Sequence, residues 1–311
     1  MNSTRHRLSH SPSLSPPTQI ATKSSITPIT RRLFGLPTPP APSTSLHNDL
    51  PSFLSYAKRT GLPARSTTYQ GTLYEYTVQA HLRNSAFDLH RVGGRSDLGI
   101  DLTGTWHVGS NSITDPPVRV IVQCKALSSK IGPHVVRELE GVAARHFAAA
   151  LARGPRGSGG GVGVLVGPRE TTKGVREALG RSPMPLVCMM IERDGRVRQV
   201  LWNGRVEALG LGGLGVEILY PARGEIEGEV EARLTWEGKE VRTMDQVEEG
   251  MRRSEEEWMA KWEDSGVGDV SMEEILDAVE KVVPGTRPIS ISREETEEVI
   301  KSLLSTRPAR L

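Results

Sequence analysis

The chain has 311 residues, 39 of them Lys or Arg and 37 Asp or Glu, for a formal net charge of +2. No apolar run is long enough to span a bilayer, and the two cysteines, Cys124 and Cys188, lie far apart in apolar runs, which excludes a disulfide framework and reads as buried thiols in a reducing space. The near-neutral sum hides an asymmetry: net charge is +5 over residues 1–48, +8 over 49–223 and −11 over 224–311. In chain order, residues 1–48 are rich in Ser, Thr, Pro and Arg and contain no acid. That composition fits a mitochondrial presequence or a disordered leader. Pro12, Pro16 and Pro17 break any long amphipathic helix there, and Arg31-Arg32 offers one place for a cut.

Residues 49–223 read as one α/β domain. Tyr74, Val78 and Leu82 form an apolar stripe at helical spacing over Gly71–Leu82. Strands follow at 86–93, about 98–106 and 118–125, the first two joined by a bend carrying Gly93, Gly94 and Gly99. A helix is expected from Gly132-Pro133 to Leu151, then a Gly/Arg linker and a strand over 162–166. Thr171-Thr172 begins a short capped helix, Leu186–Ile191 is a strand, and the Asp194-Gly195 turn leads to an edge strand ending at Trp202. Beyond residue 224 one strand, Glu231–Trp236, and helices near 245–262, 271–282 and 293–304 make an acidic extension. It reads as a solvated appendage, a shield for the basic middle or a surface for a basic protein partner.

Chemistry concentrates around Asp101 and Gln123-Cys124-Lys125. Strand alternation puts Gln123 and Lys125 on one face and Cys124 on the other. Asp101 ends the glycine-punctuated run, and Glu75 lies beside the helical stripe. An acid, an amide oxygen and an amine are what is needed to hold a hard divalent cation against a phosphodiester. The plainer reading is a buried strand surfacing at its polar end. Asp97 fits a turn residue bonding its own backbone, and His107, His134 and His146 have no partner at metal-ligand spacing. Arg95, Lys130 and Arg137 flank the proposed metal edge, where a phosphate would meet them.

The order helix with Glu, strand, Gly-Gly-x-x-Asp-x-Gly-Ile-Asp-Leu, strand ending Gln-x-Lys, then helix resembles the PD-(D/E)XK nuclease superfamily, with Gln for the second acid as in its type IV restriction endonuclease branch. More narrowly, Gly104-Thr105-Trp106, Val122-Gln123-Cys124-Lys125, Lys130-Ile131-Gly132-Pro133 and Arg137-Glu138-Leu139-Glu140-Gly141 resemble the fungal family called required for respiratory growth protein 7, over about residues 69–220. The resemblance implies a restriction-endonuclease-like core, a mixed central sheet flanked by helices. It implies Asp101 as principal metal carboxylate, Gln123 as second oxygen ligand, Lys125 as the group orienting water or steadying the phosphate, and Glu75 as auxiliary acid. Thr171 or Thr172 would touch backbone phosphate, although helix capping explains them equally well.

The function so implied is a Mg²⁺- or Mn²⁺-dependent phosphodiesterase acting on DNA in the mitochondrial matrix, acting as a homodimer if it cuts both strands. Because an amide oxygen carries no formal charge, a second reading is a non-catalytic nucleic-acid-binding factor with the same fold. A third is a scaffold working through its carboxy-terminal helices.

Overall fold

The computed structural model describes residues 24–41, 46–92, 99–109, 113–151, 160–220, 230–265, 267–268 and 270–306. Their centre is a six-stranded sheet in the order β1-β2-β3-β4-β5-β6, from β1 (Phe87–Arg91), β2 (Leu102–Trp106), β3 (Val118–Cys124), β4 (Gly161–Gly167), β5 (Leu186–Ile191) and β6 (Val197–Trp202). β1-β2 and β2-β3 pair antiparallel, β3-β4 and β4-β5 parallel, and β5-β6 antiparallel, so the sheet is mixed. The two parallel joins are crossed by α4 (Pro133–Leu151) and α5 (Lys173–Arg181).

The sheet is covered on both faces, which is why β3 and β4 read as continuous apolar runs. On one face α3 (Thr67–Leu82) supplies Tyr74, Val78 and Leu82 against Leu102, Val120 and Val122. On the other, Val135, Leu139 and Phe147 of α4 pack with Ile121, Leu165 and Cys188. Phe87 and Trp106, cross-strand partners, stack with centroids 4.6 Å apart. The Tyr74 hydroxyl donates to the Ile191 carbonyl at 2.7 Å, tying α3 to β5.

The expected elements stand within a few residues of their expected bounds, and packing joins segments on either side of residues 48 and 223. Residues 24–41 are not a disordered leader. Thr27 caps α1 (Pro28–Phe34), its hydroxyl accepting from the Thr30 N–H at 3.0 Å, and Gly35 ends it at φ 62°. Leu33 and Phe34 enter the main core, and Arg31 forms a buried ion pair with Asp88 of β1 at 2.9 Å. Composition pointed the other way because α1 is short and basic, and its partners lie far along the chain. A second helix absent from the expected pattern, α2 (Leu50–Thr60), opens with a capping box between Asp49 and Ser52.

The carboxy-terminal region is likewise no separate appendage. After the short turn α6 (Gly204–Val206), β7 (Leu214–Leu219) pairs with β8 (Glu231–Trp236), which pairs with β9 (Lys239–Glu240), in a three-stranded sheet that crosses the expected boundary at 223/224. Helices α7 (Met244–Asp264), α8 (Met272–Val282) and α9 (Arg293–Thr306) then send Val247, Trp258, Val279 and Val299 into the cluster that holds Leu33 and Val122. The acidic residues occupy the outer faces of those helices, an ordinary amphipathic arrangement. No helix among the described residues is long and apolar enough to cross a membrane.

Candidate active site

The antiparallel register places Leu102 opposite Val122, so Asp101 lies beside Gln123. The Asp101 N–H donates to the Val122 carbonyl at 2.9 Å, and its carboxylate accepts the Cys124 N–H at 2.6 Å. Both bonds fasten the acid to the end of β3. Gly99 makes the close approach possible: its φ is +82°, and a Cβ there would sit 3.0 Å from Gln123 Nε2.

Gln123 is 4% exposed, and its Oε1 is buried with no hydrogen-bond partner among the described residues. An orphaned amide oxygen costs about 1–3 kcal/mol, so it marks either a structural defect or a site for a ligand. Lys125 follows two residues on, its backbone N–H held by the Val166 carbonyl at 2.8 Å, and alternation puts its side chain on the Gln123 face. The oxygens of Asp101 and Gln123 are hard donors of the kind Mg²⁺ and Mn²⁺ take, and the orphaned Oε1 is the observation that fits such an ion. No group of three or more His, Cys, Asp or Glu at metal-binding distance occurs among the described residues, so any ion held here would depend on the amide.

Glu75 sits on α3, on the Cys124 side of the sheet, and its Oε2 accepts from Arg91 Nε at 2.5 Å. Arg91 also lies over the Tyr76 ring, 5.6 Å from its centroid. Sequence reasoning missed Arg91; the alternation of Phe87, Leu89 and Arg91 on the α3 face is the signal that would have found it. Burial pushes the Cys124 thiol well above its usual value, the charges of Asp101 and Glu75 add to the rise, and Arg91 and Lys125 oppose it. This thiol is therefore a packing group rather than a nucleophile.

The residues expected to meet phosphate fare differently. Lys130 and Arg137 are exposed, in the β3–α4 loop and on the first turns of α4. Arg95 lies outside the described residues, as does Asp97. Thr172 caps α5, its hydroxyl accepting from the Val175 N–H, and the Thr171 hydroxyl donates to Gln199 Oε1 at 2.7 Å. Both threonines are thus engaged within the fold, and capping accounts for Thr172.

A family model described as Required for respiratory growth protein 7 matches residues 66–116 and 110–220. A Schizosaccharomyces pombe protein named as uncharacterized and mitochondrial is 33% identical over 166 residues, covering 52% of this chain and 62% of its own length. The chain thus spans less than two thirds of that relative. Required for respiratory growth protein 7, mitochondrial, of Saccharomyces cerevisiae is 28% identical over 181 residues, covering 46% of this chain and 72% of its own. Its namesake in Zygosaccharomyces rouxii is 26% identical over 183 residues, covering 47% and 73%. No solved structure matches. Through residues 66–220, which hold Glu75, Asp101, Gln123 and Lys125, the chain belongs to the required for respiratory growth protein 7 family.

Proposed function

We propose that this protein is a mitochondrial, Mg²⁺- or Mn²⁺-dependent phosphodiesterase acting on nucleic acid, and that respiratory growth depends on it. The mitochondrial and respiratory parts rest on the names of its relatives. The chemical part rests on one observation: a buried Gln123 oxygen, without a partner among the described residues, beside a carboxylate clamped to the same strand end.

Asp101 and Gln123 are the residues that would hold the ion, which when bound offsets charge on a phosphoryl oxygen. The Cys124 N–H bond fixes the Asp101 carboxylate in one orientation, so no side-chain entropy is lost there on loading. Lys125 brings a cation to the Gln123 face, where it steadies negative charge developing on the phosphate or holds the attacking water by hydrogen bond. Glu75, paired with Arg91 across the strand end, sets the local field from the opposite side of the sheet.

The test is metal-dependent cleavage of supercoiled, branched and single-stranded DNA by the full chain, because truncation at residue 48 would delete α1. Cleavage that disappears in Asp101→Ala and Lys125→Ala supports the reading. Absence of cleavage on every substrate, or cleavage indifferent to both changes, overturns it. The uncharged Gln123 and the lack of a carboxylate cluster among the described residues favour a second reading, a nucleic-acid-binding factor without turnover. Calorimetric titration separates the two, since that factor takes up no ion through Asp101.

A further inference from the structure

A cleft of about 1630 Å³ runs along the edge strand β1, lined by α1, the segment after it, β1, the start of β3 and the loop before α9. This exceeds the roughly 300–1,000 Å³ of ordinary small-molecule pockets. Among the described residues six arginines line it, Arg31, Arg32, Arg83, Arg91, Arg119 and Arg287, against a single acid, Glu280. Four of the six are matched by carboxylates: Arg31 by Asp88, Arg32 by Asp277, Arg83 by Asp245 and Glu248, and Arg91 by Glu75.

The other two are not so matched. Arg119 is half-buried on β3 and, among the described residues, makes no hydrogen bond or ion pair; its charge bears instead on His146, which burial and Arg119 together hold below its usual value. Arg287 donates to the Thr114 carbonyl at 2.5 Å, and burial pulls its guanidinium below the usual arginine value, with Asp115 opposing. Arg119 thus has no carboxylate partner among the described residues, and Arg287 has only a carbonyl bond and the through-space charge of Asp115; a half-buried guanidinium so placed is costly, and an entering anion relieves that cost. Pro37, Pro39, Pro40, Pro116 and Pro117 also line the cleft, giving it rigid apolar surface. Arg91, which lines the cleft, also holds Glu75 of α3.

We propose that this cleft binds the phosphodiester backbone of a single-stranded nucleic acid, with Arg119 and Arg287 as its phosphate contacts. The concave shape selects the strand number. A duplex carries its phosphates on a wide convex surface and would touch only the rim, whereas a single strand can enter and lay its sugars against the prolines. Grooves of this kind hold about 4–16 nucleotides. The inference rests on nucleic acid as the ligand class of the proposed function but not on turnover.

The experiment is fluorescence anisotropy with the full chain in EDTA, using a labelled oligothymidylate of about 15 nucleotides, inside that range, and a duplex of equal length. The single strand is expected to bind at least about tenfold tighter. Each phosphate contact to a single strand contributes about 0.7 to the slope of log affinity against log salt, so Arg119→Ala should lower that slope by about 0.7 between roughly 50 and 200 mM salt. Arg253→Ala, at an exposed residue of α7 that does not line the cleft, should leave it unchanged. Equal or tighter duplex binding, or unaltered affinity and slope in Arg119→Glu, overturns the proposal. So does saturation by a mononucleotide with no oligonucleotide binding. Strand binding by the parent chain with no metal-dependent cleavage of any substrate would sink the phosphodiesterase and leave the cleft standing.

Discussion

The Asp101 carboxylate accepts the backbone N–H of Cys124 at 2.6 Å, so the candidate metal acid is clamped to the strand that carries Gln123 and Lys125. That bond separates structural from chemical effects of substitution. Asp101→Ala strands a partly buried N–H and should cost about 1–3 kcal/mol, read by denaturant titration. Asp101→Asn keeps an oxygen acceptor but removes the charge. It should melt close to the parent yet lose metal-dependent cleavage by a factor on the order of a hundred. If both variants lose only stability and cleave normally once folded, Asp101 is a strap and not a ligand.

Gln123 should show a conflict between stability and function. Its Oε1 is buried without a partner among the described residues, so Gln123→Leu removes an unsatisfied oxygen and is expected to leave the metal-free protein as stable as the parent or more stable by about 1 kcal/mol. The same change should abolish any rise in melting temperature on adding Mg²⁺. Gln123→Glu should enlarge that rise, because a carboxylate holds the ion more tightly than an amide. A Gln123→Leu protein that is markedly destabilised without metal would mean that the oxygen has a structural partner.

Much of this arrangement is legible in the linear pattern, and the reasons are local. In Val118–Cys124 a run of β-branched residues ends in Gln-x-Lys, so strand alternation alone places Gln123 and Lys125 on one face. Tyr74, Val78 and Leu82 recur at helical spacing and do pack on the sheet. What escaped reading depends on distant partners. Arg31 finds its acid 57 residues away and Arg32 finds Asp277 245 residues away, so a segment with presequence composition turned out to be an element of the core. Arg91 was passed over for a similar reason: its significance lies in Glu75 on another element. The cleft follows from how α1 and the α8–α9 region meet beside β1, which no single segment encodes.

Stability should fall with acid in two separate windows. Burial holds the His107 imidazole down to about 4 from the ordinary 6.5, so the folded protein keeps it neutral while the unfolded chain takes up a proton. Protons then favour the unfolded state as pH drops below about 6.5, and the loss saturates near pH 4 at about 3 kcal/mol. Burial would raise the Asp88 carboxyl, but His90 and Arg31 overcome it and hold it well below the ordinary 3.8. Its stabilisation is therefore complete above that value and is lost only at lower pH. The His107→Gln variant can still bond the Thr105 hydroxyl, which lies 2.9 Å from His107 Nε2, and should flatten the upper window alone. Denaturant midpoints across pH 7 to 3 would show the slope surviving in that variant if another group is responsible.

The Arg31–Asp88 pair makes the sharpest prediction about α1. Asp88 is 1% exposed, so Arg31→Met leaves a buried carboxylate with only His90 as charged company and should cost about 3–5 kcal/mol. Replacing both members, as in Arg31→Met with Asp88→Leu, should recover a large part of that loss, because the penalty comes from the uncompensated charge more than from the absence of the pair. A chain starting at Ser24 retains the Thr27 cap, the ion pair, and Leu33 and Phe34 in the core. It should melt with the full chain, whereas one starting at Leu36 should melt well below it. The same packing bears on processing: a cut after Arg32 would remove Arg31 and leave Asp88 unmatched. Mass measurement of the protein isolated from mitochondria should therefore find an amino terminus upstream of Thr27. A mature chain beginning at Leu33 that still melts cooperatively at the full-length temperature would show that the Thr27 cap and the Arg31–Asp88 pair contribute nothing to the fold.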